Sequence, residues 1–362
     1  MKKTPFFDIH TQLGAKISLF GGYQMPIQYS GVKQEHLAIR HSLGVFDVSH
    51  MGEFWVGGPH AFDLLQFVCS NDISKLIPGK AQYNYMPNEE GGVVDDLIVY
   101  QLQAEKYLLV VNASNIEKDW NHILKQNQKF KAKLENASEK TALLAIQGPK
   151  AMAAMQSICD AQLDQLSYYS HTTTTFAGVK NVLVATTGYT GAGGIEIYFD
   201  VAEAEKIWKA VMEAGADFGI LPVGLAARDT LRLEMGYCLY GNEIDDQSSP
   251  ISAGLGWVSK PLTGFLNAAL HQRSMQEGTS EKLIGFQIDE RGIPRSGYLL
   301  FDTDENPIGR VTSGTQSPSL NKGIGLGYVK TDYSKSGQKI SVKIREKFVP
   351  ATVVKLPFVK PS

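Results

Sequence analysis

The sequence predicts an α+β fold in two or three domains, ending in a small antiparallel β-barrel or sandwich. Three observations carry that expectation. The chain has 362 residues, more than a single hydrophobic core usually organises. Its first two-thirds hold two stretches in which strand, turn and helix patterns succeed one another. Beyond Leu283 the character changes to short strands broken by Gly and Pro.

Residues 1 to about 50 mix short helices and turns and end in Val45-Phe46-Asp47-Val48-Ser49-His50-Met51-Gly52-Glu53-Phe54. Pro59 onward reads as a helix with Phe62, Leu65, Gln66 and Cys69 on one side. Tyr83–Pro87 and Val93–Tyr100 form a hairpin-like pair around the turn Asn88-Glu89-Glu90-Gly91-Gly92. Lys106–Val111 is a further strand. Ser114-Asn115-Ile116-Glu117 then resembles a capping box, opening a helix with Ile116, Trp120, Ile123 and Leu124 on one face. The second stretch begins near Thr141 with Leu143–Ile146 as strand and Gln147-Gly148-Pro149 as turn. Val182–Thr187 is a strand leading into a glycine-rich loop. Ala202–Gly215 is an amphipathic helix with Ala204, Ile207, Trp208 and Val211 inward, and Leu225–Met235 is another helix. Residues 263–281 are polar and helix-forming and read as a connection. The later strands are Leu283–Ile288, Pro307–Ser313, Gly323–Val329, Lys339–Ile344 and Ala351–Leu356.

Composition narrows the function classes. The formal charge is −2, which calls for neither nucleic acid nor an anionic membrane. No run approaches a membrane span, and the N-terminus lacks the apolar stretch of a secretory signal. Cys69, Cys159 and Cys238 are an odd, widely spaced set without metal or disulfide spacing. A reducing cytoplasm is the simplest expectation, with no metal site.

The strand Val93–Tyr100 carries the least ordinary pattern. Val93, Asp95, Leu97 and Val99 fall on one face, and Val94, Asp96, Ile98 and Tyr100 on the other. Each face holds one acid among apolar residues. A buried carboxylate must be paired, protonated or held for a ligand. The plain alternative is an edge strand with one Asp in water and the other satisfied by backbone N–H groups.

Thr187-Gly188-Tyr189-Thr190-Gly191-Ala192-Gly193-Gly194 lacks a Gly-Lys-Ser/Thr ending, and a strand follows it, which argues against a phosphate cradle. The strand is Ile195-Glu196-Ile197-Tyr198. An ionised Glu there could accept two parallel hydrogen bonds from a flat ring, or simply lie on the surface. Arg228 and Arg232 are four apart on one helix and share a face. They suit a substrate carboxylate or structural pairing with Asp229 and Glu234. His50 comes with no nucleophile pattern.

Taken together, Phe46-Asp47-Val48-Ser49-His50-Met51-Gly52-Glu53, Gly91-Gly92-Val93-Val94-Asp95-Asp96, Gly148-Pro149, Gly188-Tyr189-Thr190-Gly191 and Gly224-Leu225-Ala226-Ala227-Arg228-Asp229-Thr230-Leu231-Arg232-Leu233-Glu234 resemble the T proteins of the glycine cleavage system. Leu239-Tyr240-Gly241-Asn242-Glu243 and Gly254-Leu255-Gly256-Trp257-Val258 fit the same pattern, and the likeness runs from Thr4-Pro5 to Pro357-Phe358.

The resemblance implies a three-domain cloverleaf of the folate-binding aminomethyltransferase type. Residues 1–54 with 137–250 would form the folate-binding α+β domain, 55–136 an inserted α+β domain, and 280–362 the C-terminal β-barrel. It implies transfer of the methylene carbon from the aminomethyl-dihydrolipoyl H protein to tetrahydrofolate. The products would be ammonia, 5,10-methylenetetrahydrofolate and the reduced lipoyl arm. By position the essential aspartate falls on Asp96. The pterin-holding glutamate falls on Glu196, with Tyr189 beside it, and the arginine near the folate on Arg228. Met51, Tyr83, Asn112 and Tyr168 match other folate-lining positions. One departure is visible: Ala192-Gly193-Gly194 stands where relatives usually carry acidic residues, which alters loop charge or rigidity. The alternative is a folate-binding accessory protein of the same fold without aminomethyl transfer. Such proteins carry a Lys-Gly-Cys-Tyr type motif, whereas this chain has Met235-Gly236-Tyr237-Cys238.

Overall fold

A computed structural model describes residues 1–361. Two sheets stand with their inner faces toward each other, and a closed barrel packs beside them. The first sheet runs in the order His171–Phe176, Val179–Ala185, Gly194–Asp200, Thr141–Gln147, Gly44–Asp47 and Leu221–Pro222. It is antiparallel except for its last pair. The second sheet, antiparallel throughout, runs Lys80–Pro87, Val93–Gln103, Lys106–Val111, Gly52–Gly57 and Lys133–Asn136. Gly52–Phe54, grouped by the sequence with the first unit, therefore belong to the second sheet. A small three-stranded sheet of Lys2–Lys3, Lys16–Phe20 and Tyr23–Gln28 precedes both.

Alternation along the strands sets the layers. On the first sheet, Leu144, Ile146, Ile195 and Ile197 face outward under the helix Ala204–Gly215, whose Ile207, Trp208 and Val211 cover them. On the second, Leu97, Val99, Leu109 and Val111 lie under the helices Ala61–Val68 and Ile116–Phe130. Between the sheets, Phe46, Leu143, Ala145 and Tyr198 meet Tyr100, Leu108 and Val110, joined by Ala227 and Leu231 of the helix Leu225–Met235.

Several local expectations need correction. The first helix of the second unit starts at Ala61 and buries Ala61, Leu64, Leu65 and Val68, so its phase differs from the expected face and Phe62 is exposed. The capping box does not form. Ser114 lies in the short 3-10 turn Ala113–Asn115, so the helix N-cap falls one residue later on Asn115, whose side chain makes no cap bond and donates its Nδ2 to Asp95 Oδ1 at 2.7 Å. On that helix Ile123 is buried but Leu124 is exposed. Leu299–Phe301 is an extra barrel strand, too short to show periodicity. The barrel closes in the order Glu281–Ile288, Lys322–Lys330, Pro307–Ser317, Leu299–Phe301, Lys339–Ile344 and Lys347–Val354.

Helix Leu225–Met235 is the hub. Arg232 is fully buried and donates to Asp229 at 2.8 Å, to Glu243 at 2.8 Å and to Ser313 of the barrel at 2.9 Å. Glu234 accepts from Arg40 Nη2 at 2.9 Å and from barrel Ser317 at 2.5 Å, and its Oε2 lies 3.1 Å from His36 Nε2. Arg232→Ala would strand a buried Glu243 and is expected to cost roughly 3–5 kcal/mol of stability, read as a lowered urea midpoint. Arg310 pairs with Glu281 at the surface, and Arg310→Ala is expected to cost about 1 kcal/mol or less. Equal losses in the two variants would contradict the clamp assigned to Arg232.

Candidate active site

The strand Val93–Gln103 is interior to its sheet, so the edge-strand alternative fails. Opposite it, Met86 pairs Asp95 and Pro87 pairs Val93, leaving Val94 as a bulge. The bulge exchanges two expected positions. Val94 packs with Leu97 and Val99 on the helix-covered side, and Val93 packs with Tyr85 on the other. The two acids keep their expected opposite faces. Asp95 is fully buried toward the Ile116–Phe130 helix, and Asp96 is half-buried on the face shared by Ile98 and Tyr100.

Asn112, at the end of strand Lys106–Val111, holds both. Its backbone N–H donates to Asp95 Oδ2 at 2.9 Å. Its Nδ2 lies 2.9 Å from Asp95 Oδ1 and 2.8 Å from Asp96 Oδ1. Tyr83 donates its hydroxyl to Asp96 Oδ2 at 2.8 Å. Asp96 has no ion-pair partner among the described residues. Burial, then the neighbouring Asp95 charge, push its pKa up to about 7, against the hydrogen bonds from Tyr83 and Asn112.

Glu196 projects from the facing sheet. Its register opposite Ala145 and Ala185 puts it on the inner face with Tyr198. Thr187 donates to Glu196 Oε2 at 2.5 Å. Burial raises its pKa, opposed by Thr187 and Arg228. The two inner faces join where the hydroxyls of Tyr100 and Tyr198 lie 2.9 Å apart.

Arg228 and Arg232 separate in role despite their shared helix. Arg232 is consumed by structural pairs, as above. Arg228 is half-buried, makes no ion pair among the described residues, and lies 4.6 Å over the Tyr189 ring. Burial lowers its pKa, opposed by nearby Tyr189 and Glu196. Glu234, offered by the sequence as a partner for these arginines, pairs with Arg40 instead because it points toward the barrel side.

Of the remaining expected residues, Met51 is half-buried against the inner core. Tyr189 donates its hydroxyl to the Cys238 carbonyl and stacks on Tyr237 at 5.7 Å. Tyr168 is 68% exposed, and its ring packs on Tyr169 at 4.8 Å. It stands at the rim and not inside the cluster. The sequence reading missed Tyr237, Thr187 and Trp257. Trp257 is exposed yet stacked on Tyr83 at 5.9 Å and 14°. An aromatic flanked by small residues in Gly254-Leu255-Gly256-Trp257 was its available signal. His50 is fully buried, and burial followed by the Arg228 charge lowers its pKa to about 4, so it is neutral.

Residues 6–261 match the family model described as the GCVT N-terminal domain, and 281–360 the glycine cleavage T-protein C-terminal barrel domain. The chain is 57% identical to the aminomethyltransferase of Bacteroides fragilis and 56% to that of Bacteroides thetaiotaomicron. Each alignment spans 362 residues, 99% of this chain and 100% of the relative. The fold is similar to the crystal structure of glycine cleavage system aminomethyltransferase T from Bartonella henselae. That match has a TM-score of 0.93 at 34% identity, over 99% of this chain and 98% of that one. The chain therefore belongs to the glycine cleavage T-protein family, the tetrahydrofolate-dependent aminomethyltransferases.

Proposed function

We propose that Asp96 is the catalytic carboxylate of this aminomethyltransferase and that Glu196 holds the pterin of tetrahydrofolate. The observation that carries the reading is a half-buried Asp96 held by two neutral donors, with no cation paired to it among the described residues. Such a carboxylate keeps its negative charge available for a substrate.

The carbon to be moved is bound to sulfur of a lipoyl arm and to nitrogen. As the carbon–nitrogen bond breaks and ammonia leaves, positive charge develops on that carbon. A fixed anion stabilises it electrostatically. A first folate amine, oriented by Asp96, attacks that carbon and passes its proton to the carboxylate. The carbon–sulfur bond then breaks, the sulfur takes that proton from Asp96 and leaves as the thiol of the reduced arm, and the second folate amine closes on the carbon and releases its own proton, which completes the methylene bridge. Tyr83 and Asn112 fix the carboxylate in place, so no reorganisation is needed at the moment of transfer. Ile98 and Val110 supply an apolar wall that keeps water from the one-carbon unit.

Glu196, as an ionised acceptor, suits a ring amide beside an exocyclic amine. Arg228, unpaired among the described residues and resting on Tyr189, suits the acidic part of the folate. Met51 and Tyr189 would line the ring, and Tyr168 the rim. The H protein is the proposed carrier of the lipoyl arm, in a transient encounter. Exposed Trp257, stacked on Tyr83, supports an approach of the arm to Asp96 from that side. Three domains are proposed, following the sheets: 1–51 with 137–250, 52–136 and 280–362. The three cysteines are free and buried, which suits a reducing cytoplasm. A folate-binding accessory role without transfer is not favoured, given the full-length likeness to aminomethyltransferases.

Asp96→Asn is expected to lose roughly 10²–10⁴-fold in turnover, with ammonia and methylenetetrahydrofolate followed together, while folate affinity changes far less. Near-normal transfer would remove Asp96 from the chemistry. Glu196→Gln should do the reverse. It should weaken folate binding by about 1.5–3 kcal/mol, seen by titration calorimetry, and unchanged affinity would refute the pterin contact. Asp96 must be ionised to take a proton, so the single-turnover rate should rise with pH through about 7 and level off above it. A profile that stays flat across that range would contradict the proton-accepting role.

A further inference from the structure

Behind Asp96 lies a second pair of acids that the transfer chemistry leaves unexplained. Asp95 is fully buried beneath the Ile116–Phe130 helix. Three N–H contacts reach it: Asn112 N at 2.9 Å, Asn112 Nδ2 at 2.9 Å and Asn115 Nδ2 at 2.7 Å. An ionised carboxylate only accepts hydrogen bonds, so this surrounding suits the charged form.

Asp119 is different. It follows Asn115 by one helical turn, so both side chains descend onto Asp95 from one face of the helix. It is fully buried, and neither oxygen receives an N–H or hydroxyl bond among the described residues. Its polar contact is Asp95 itself. Two touching carboxylates in a buried site do not both ionise. The proton belongs on Asp119, because Asp95 already has three N–H contacts and Asp119 has none.

We infer that Asp119 is a positioning residue for the transfer reaction. It is a neutral acid whose O–H keeps Asp95 ionised, so that the Asp95 charge makes Asp96 a stronger base. Asn112 links the two aspartates, since its Nδ2 reaches an oxygen of each. Other groups face the acids from every side. Tyr83 donates to Asp96 from the neighbouring strand. Tyr189 and Cys238 approach Asp96 from the glycine-rich loop and the segment after Met235. Tyr240 approaches Asp95. Lys118 is a cation beside Asp119, and its ammonium is already bonded to Tyr240 at 2.5 Å and Asp246 at 3.1 Å.

The inference rests on the reading of Asp96 as the catalytic carboxylate, but its first test does not. Infrared difference spectroscopy would compare the full chain with its Asp119→Asn variant at about pH 8, where an ordinary carboxyl is ionised. One neutral-acid C=O band should disappear in the variant. An unchanged acid region would mean that Asp119 is ionised and would overturn the proposal. The second test is the pH profile of single-turnover transfer. Asp119→Asn retains an N–H toward Asp95 and should keep the wild-type apparent pKa. Asp119→Ala removes one of the four donors to Asp95, raises the share of neutral Asp95 in its buried site, and should lower the apparent pKa of the Asp96 limb by up to about one unit. An unshifted limb in a folded Asp119→Ala would overturn the coupling. Should that variant not fold, a shifted limb in Asp119→Asn, which keeps the donor, would overturn it. A wild-type profile with no limb that Asp96→Asn removes would instead reject the catalytic reading, leaving the infrared result to stand alone.

Discussion

The cost of burying charge shapes this molecule more than any other single constraint. Where the sheets, the helix Leu225–Met235 and the barrel converge, ionisable groups lie too deep for water to solvate them. Each must be paired, neutralised, or left for a ligand. Arg232 with Glu243, and Arg40 with Glu234, take the first course and tie the helix to its neighbours. His50 takes the second. Asp96 and Arg228 take neither, and they stand on two sides of the same junction. The same energetic rule thus builds the frame and sets apart the two charges that the frame leaves without a partner.

The frame also places the candidate site on regular elements. Asp96 and Tyr83 sit on adjacent strands of one sheet, and Glu196 on a central strand of the other. The hydroxyls of Tyr100 and Tyr198 fasten the two inner faces together. Functional side chains on regular strands are placed more accurately than on loops. Asn112 ties the two acids together by hydrogen bonds: one side chain reaches acids on opposite faces of a strand, because it leaves the sheet at the end of the neighbouring strand.

Much of this was legible beforehand. The helix Leu225–Met235 and the inward set Ile207, Trp208 and Val211 follow from periodicity alone. The alternation of Asp95 and Asp96 survives because the bulge lies before them in the strand. What failed was local chemistry overruled by distant partners. The Ser114–Glu117 box does not form because a 3-10 turn moves the helix start one residue on, to Asn115, whose amide is turned to Asp95. Phe62 lies outside because the helix packs through Leu64 and Leu65. Val93 and Val94 change sides because a bulge has no signature in apolar alternation.

By itself, the sequence determined which residue types alternate, where turns interrupt them, and that two acids occupy an apolar strand. These are short-range properties, set by bond geometry and side-chain polarity. It also carried enough ordered motifs to indicate the family. Only the tertiary structure decided which of two arginines, four residues apart on one helix, would be structural and which free. It alone set Glu196 of one sheet and Asp96 of another on facing inner surfaces, and set Asp119 against Asp95. Pairing of charges depends on distance through space, and residues far apart along the chain come together only when the sheets have packed.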